Sequence, residues 1–87
     1  MHTDEYEISL FREIEVCRKA ICKIKESLRI MEMKYRMTTE EFIEGYMCGK
    51  FSADNKDFAD WNSNNESLRK WMERKNDYEE ILRRMKI

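Results

Sequence analysis

Residues 10–35 read LFREIEVCRKAICKIKESLRIMEMKY. Within them Leu10, Ile14, Cys17, Ile21, Ile24, Leu28, Met31 and Tyr35 follow one another at spacings of 4, 3, 4, 3, 4, 3 and 4. A line of that period runs along one side of an α-helix and is the signature of a seam packed against a second helix. The pattern predicts a helix over 4–36, roughly 50 Å long at ~1.5 Å per residue. Phe11, Ala20 and Ile30 fall outside the line and are expected to widen it into a bundle face.

Downstream, Thr38-Thr39-Glu40-Glu41 announces a new helix. The Thr38 hydroxyl can accept from the Glu41 amide while the Glu41 carboxylate reaches back to the Thr38 amide, which is a capping box. Met37 before the cap and Phe42 after it fit a hydrophobic staple. Phe42, Ile43, Tyr46 and Met47 give this second helix, 39–48, one apolar side, and Gly49 suits a left-handed residue at its end. A connector follows, with Asp54 as the expected cap of a third helix over 55–86 and Asp57 in its first turn, where a negative charge favours the helix dipole.

The third helix repeats the seam through Trp61, Asn64, Leu68, Trp71, Lys75, Tyr78, Leu82 and Met85. Asn64 is placed to fix register and Lys75 to lay its stem across the seam. The run Asn62-Ser63-Asn64-Asn65 weakens the pattern, and Ser63 with Glu66 could itself start a helix, so a break there is open.

Charge sets the direction of pairing. Residues 1–15 carry net -4 and 16–36 net +5, whereas 37–66 carry net -5 and 67–87 net +3. Folding the third helix back along the first brings opposite signs together at both ends, and a parallel arrangement opposes like with like. Each exposed pair contributes only ~0.2–1 kcal/mol, but all favour the antiparallel hairpin. The expected fold class is therefore all-α. Two long helices form an antiparallel hairpin with a short helix between them, in one helical domain over 1–87. The apolar surface left over on the hairpin suggests assembly into a dimeric bundle.

Composition narrows the function. The chain has 87 residues, 40% of them charged, with no proline and a formal net charge of -1. That balance argues against a general electrostatic grip on nucleic acid or membrane. No apolar run approaches the ~18 residues that a membrane-spanning helix needs. The start Met1-His2-Thr3-Asp4-Glu5 is polar and acidic, unlike a secretion signal, so a cytoplasmic location is expected. Three cysteines cannot all pair within one chain, and Cys17 and Cys22 project from different sides of a helix, so they read as reduced, small apolar residues.

The lone histidine, His2, sits at a terminus expected to fray. Asp54, Asp57 and Asp60 lack the spacing and central glycine of a calcium loop, and Glu40, Glu41 and Glu44 lack a hydrophobic setting that would raise a pKa. No catalytic residue, metal or cofactor is expected, and the chain reads as a protein other than an enzyme.

Two groups invite a binding role. Lys19, Lys23, Arg29 and Lys34 with Arg69, Lys70, Arg74 and Lys75 make basic faces, read first as solvated or internally paired and second as a nucleic-acid contact. Phe51, Phe58, Trp61 and Trp71 are many large aromatics for one region; they are either core or the candidate partner-binding residues, since aromatic anchors dominate interface energetics.

The segment Lys34-Tyr35-Arg36-Met37-Thr38-Thr39-Glu40-Glu41-Phe42, followed by Gly49 and Asp57-Phe58-Ala59-Asp60-Trp61, resembles a group of small, largely uncharacterised archaeal and bacterial helical proteins. Some of that group are antitoxin-like partners of small toxins. There a Tyr-Gly-Met, Ser/Thr-x-Glu-Glu-Phe stretch precedes an acidic linker and a Phe-x-x-Trp helix. Arg36 stands here where glycine is expected, which puts the turn before the second helix in question. The resemblance spans residues 34–61 and implies a binding protein with a small protein partner such as a toxin. The expected function is a non-enzymatic protein–protein interaction module. A self-assembling structural protein and a nucleic-acid-binding accessory are the alternatives.

Thr38→Ala should cost about 1 kcal/mol of stability by stranding an amide at the start of the second helix. An unchanged denaturation midpoint would argue against the box.

Overall fold

The computed structural model describes residues 5–85. Three helices follow in order: α1 Glu5–Tyr35, α2 Thr39–Met47 and α3 Lys56–Met85, with no strand among the described residues. These bounds lie within about a residue of those the sequence predicts; positions 4 and 86, and His2, lie outside the described residues. α1 and α3 pack along each other as an antiparallel hairpin. The last turn of α1 meets the first turn of α3 through Lys34 and Asp57, and mid-α1 meets the second half of α3, where Cys17 lies near Arg74 and Lys75.

The inner seam of α1 is covered as its period requires. Leu10, Ile14, Cys17 and Leu28 are buried, and Ile21, Ile24, Met31 and Tyr35 are half-buried. Phe11 and Ile30 do not widen that face: they are 45% and 60% exposed. At ~100° per residue they project well away from the seam, toward solvent. α3 runs unbroken through Asn62–Asn65. Trp61 and Leu68 anchor that stretch on either side against the core, so tertiary packing overrides the weak local propensity.

The turns explain how α2 is set between the long helices. α1 ends with Arg36 at φ 54, the left-handed region, and the Met37 amide donates to the Glu32 carbonyl at 3.3 Å. This is the six-to-one closure usually made by glycine. The Glu32 carboxylate also accepts from the Thr39 amide at 2.8 Å, so one residue ties the turn to both helices.

The cap of α2 follows. Thr38 Oγ1 accepts from the Glu41 amide at 3.1 Å, and Glu41 Oε1 accepts from the Thr38 amide at 3.4 Å. The far end of α2 closes in the same six-to-one manner, with Gly49 at φ 83 and the Lys50 amide donating to the Gly45 carbonyl at 2.8 Å. Asp54 does not cap α3. Asn55 does, its Oδ1 accepting from the Asp57 amide at 2.9 Å and from the Phe58 amide at 3.4 Å.

The core is concentrated at this end. Trp61 and Phe42 are 0% exposed, and with Leu28 they form a cluster against which Ile24, Tyr35, Phe51, Phe58 and Leu68 pack.

An L-residue held in the left-handed region costs ~1–2 kcal/mol, part of which glycine would return as unfolded-chain entropy. Arg36→Gly should therefore raise stability by ~0.5–1 kcal/mol. Chemical denaturation of the two proteins checks this; a loss of stability would mean the Arg36 side chain holds the turn by contacts of its own.

Candidate functional site

Two features could carry function: the aromatic joint where α2 meets the hairpin, and the open flank beyond it. The joint is built on a stack. The Phe42 and Trp61 rings lie 4.0 Å apart between centroids and 1° from parallel. Tyr35 lies against Trp61 from α1, while Phe51 and Phe58 close on Phe42 at 5.8 and 5.4 Å. A buried indole needs an acceptor, and Trp61 Nε1 donates to Thr39 Oγ1 at 3.0 Å.

Phe51 reaches the stack only because Gly45 has no side chain: a Cβ at that position would run into the Phe51 ring. Neither Thr39 nor Gly45 figures in the sequence reading of the core. The legible signal was Gly45 itself, a glycine in the middle of a helical pattern, which usually marks a close packing contact.

The structure thus sorts the four aromatics proposed for partner binding. Trp61 is wholly enclosed and is corrected to a core residue. Phe51 and Phe58 are half-buried against the same cluster. Trp71 stands apart on α3, half-buried, with the Arg74 guanidinium 4.8 Å above its ring. The cap residues Thr38 and Glu41 lie at the edge of the joint and are exposed.

The ion pair joining the long helices is local to this end. Asp57 accepts from Lys34 Nζ and from the Tyr35 hydroxyl, each at 2.6 Å. Lys34, and then Tyr35, hold the Asp57 carboxyl below the usual carboxylate range. The same bonds hold the Lys34 ammonium and the Tyr35 phenol above their ordinary values. The remaining ion pairs among the described residues, Lys75–Glu79 and Glu80 with Arg83 and Arg84, lie within α3. Among the described residues, charge complementarity between the helices is therefore realised as one direct contact, at the turn end. Of the basic faces, Lys34, Arg74 and Lys75 are engaged inside the chain.

The second feature is a furrow. Along one flank of the hairpin, Ile21, Cys22 and Met72 floor a hollow of about 610 Å³, and Arg18, Lys25, Asn76 and the paired Lys75 and Glu79 line it. Adjoining hollows share Met72 and Asn76 on one side and Lys25 on the other, and run on past Asn65 and Leu68 to Thr39 and Glu40 of α2. The short helix α2 thus fills one end of the groove between α1 and α3, and the rest is open. Met72 is 48% exposed there, and Cys22 is exposed beside it.

Burial pushes the Cys17 thiol on the inner seam up, which keeps it protonated. Among the described residues, no three His, Cys, Asp or Glu side chains converge as a metal site would require, and no helix is long and apolar enough to cross a membrane. Comparison with protein-family models, with curated proteins and with solved structures gives no match.

Asp57 sets the pH dependence of the turn end. Its depressed carboxyl contributes stability that is complete above the ordinary carboxylate value and is lost as pH falls through the folded value. Lys34 and Tyr35, both raised, contribute stability that is complete below their ordinary values and lost as pH rises through the folded ones. The melting-temperature difference between the native chain and Asp57→Asn should be widest from about pH 5 to 9 and shrink below about pH 3 and above about pH 11. A difference independent of pH would show that Asp57 does not act through these bonds.

Proposed function

We propose that this chain is a non-enzymatic protein-interaction module that binds by burying a helix face in the furrow between α1 and α3. The observation that carries the reading is the interrupted three-helix layer: α2 occupies the groove over one end only, and the lane it occupies continues as an apolar floor with Arg18 and Lys25 along its α1 side. Exposed apolar surface in a groove between two helices is the usual seat for an amphipathic helix, with anchors on the partner at helical spacing. The chain's own buried aromatics serve the joint, so the binding surface consists of Ile21, Cys22 and Met72.

Arg18 and Lys25 give the α1 side of the furrow a positive edge, while Lys75 on the α3 side is paired with Glu79, so a partner helix with an acidic flank toward α1 is favoured over a basic one. Apolar burial supplies the affinity and the positive edge supplies orientation. A few hundred Å² of covered apolar surface corresponds to several kcal/mol at ~25 cal/mol per Å², before the cost of association is subtracted.

A photo-cross-linking side chain at Met72 should give covalent protein adducts in native extract, and the same group at Ile30, on the outer side of α1, should give few. Equal labelling from both positions, or none from Met72, would remove the furrow from the account.

A further inference from the structure

We propose that the occupant of the furrow is the first third of α1 from a second copy of this chain, in a closed two-fold dimer whose α1 helices run antiparallel. This rests on the furrow reading and names its partner.

Three observations lead here. Besides its buried seam, α1 carries a second line at the same period, Ile8, Phe11, Glu15, Arg18, Cys22 and Lys25, spaced 3, 4, 3, 4 and 3. Every member of it is exposed. That line borders the furrow, since Arg18, Cys22 and Lys25 are among the furrow's own lining residues. The third observation is charge. Residues 1–15 carry net -4 and residues 16–36 net +5, so the sign changes part-way along the helix.

Along two antiparallel copies of one helix, the numbers of facing residues have a constant sum. Laying Phe11 over the partner's Cys22 fixes that sum and sets Glu15 against the partner's Arg18 and Ile8 against the partner's Lys25. The two-fold axis then passes between residues 16 and 17. It falls on the boundary between the acidic and basic blocks, so each block of one copy lies along the opposite block of the other. Slipping the register by about one turn sets Glu15 against the partner's Glu15 or Arg18 against the partner's Arg18, and running the helices parallel lays each block along its like. Each Phe11 ring enters the hollow floored by the partner's Ile21, Cys22 and Met72. Both copies contribute identical surfaces, as a closed dimer requires.

The pairing is tested in the full-length chain. Phe11→Cys, in a Cys48→Ser background, puts a thiol over the partner's Cys22. Within one chain those two positions are about 16 Å apart along α1, far beyond the ~7 Å limit for a disulfide. Mild oxidation should therefore give a covalent dimer that disappears when Cys22→Ser is added, and Ile30→Cys in the same background should give several-fold less. Dimer yield no higher than from Ile30→Cys, or unaffected by Cys22→Ser, overturns the proposal.

A second arm leaves the apolar contacts intact. Glu15→Arg should weaken self-association by roughly tenfold or more in sedimentation equilibrium, because it sets like charges at two symmetry-related contacts, and adding Arg18→Glu should restore it. Failure of that rescue overturns the register. A native chain that sediments as a monomer overturns the dimer, while protein adducts from Met72 to another polypeptide would leave the furrow reading standing; absence of any Met72 adduct removes both.

Discussion

The parallel stack of Phe42 on Trp61, with the indole N–H bonded to Thr39, is the contact on which the rest of the architecture depends. It joins the short helix to the third, and Tyr35 brings the end of the first against it. Complete burial of two large rings contributes roughly 3 kcal/mol or more of gross transfer free energy each. For a chain of this size that is a large fraction of the net stability it can have. The indole makes the contact directional as well as apolar, because a buried N–H without its acceptor would cost ~1–3 kcal/mol. Thr39 meets that need only if α2 starts where the Thr38 cap starts it. Local capping and the tertiary core are thus one device: the cap places Thr39, and Thr39 seats Trp61.

The elements were legible because they rest on local rules. The inner seam of α1, the Thr38–Glu41 box, Gly49 in the left-handed region and the antiparallel sense of the hairpin all follow from periodicity, capping chemistry and charge. What escaped were choices settled by distant neighbours. Asp54 and Asn55 are both good caps, and only the folded connector shows that it is Asn55 whose Oδ1 takes the Asp57 and Phe58 amides. Trp61 could have been an anchor for a partner or a core ring, and only the placement of α2 resolves it. Arg36 in a glycine's conformation shows the same principle, since Glu32 closes the turn from the backbone side and from its carboxylate. The furrow was invisible for a related reason. It is defined by where α2 stops relative to the long helices, a property of no single segment.

That stopping point separates a filled end from an open one. Over residues near the turn the hairpin has a third helix above it, and its large aromatics are enclosed. Beyond Asn65 the third layer is missing, and Cys22 and Met72 meet solvent with Arg18 and Lys25 of α1 beside them. The same chain carries its acidic block at the start of α1. The division of α1 into an acidic first part and a basic remainder therefore does two jobs in this account: inside the chain it orients α3, and outside it supplies a partner's charge pattern to the furrow.

Trp61 offers the most direct probe of the central contact. With Trp71→Phe, Trp61 is the sole tryptophan, and its emission reports on the joint alone. The account predicts blue-shifted fluorescence that acrylamide quenches poorly in the native protein and readily after denaturation. Emission at the wavelength of a hydrated indole, freely quenched under native conditions, would contradict it.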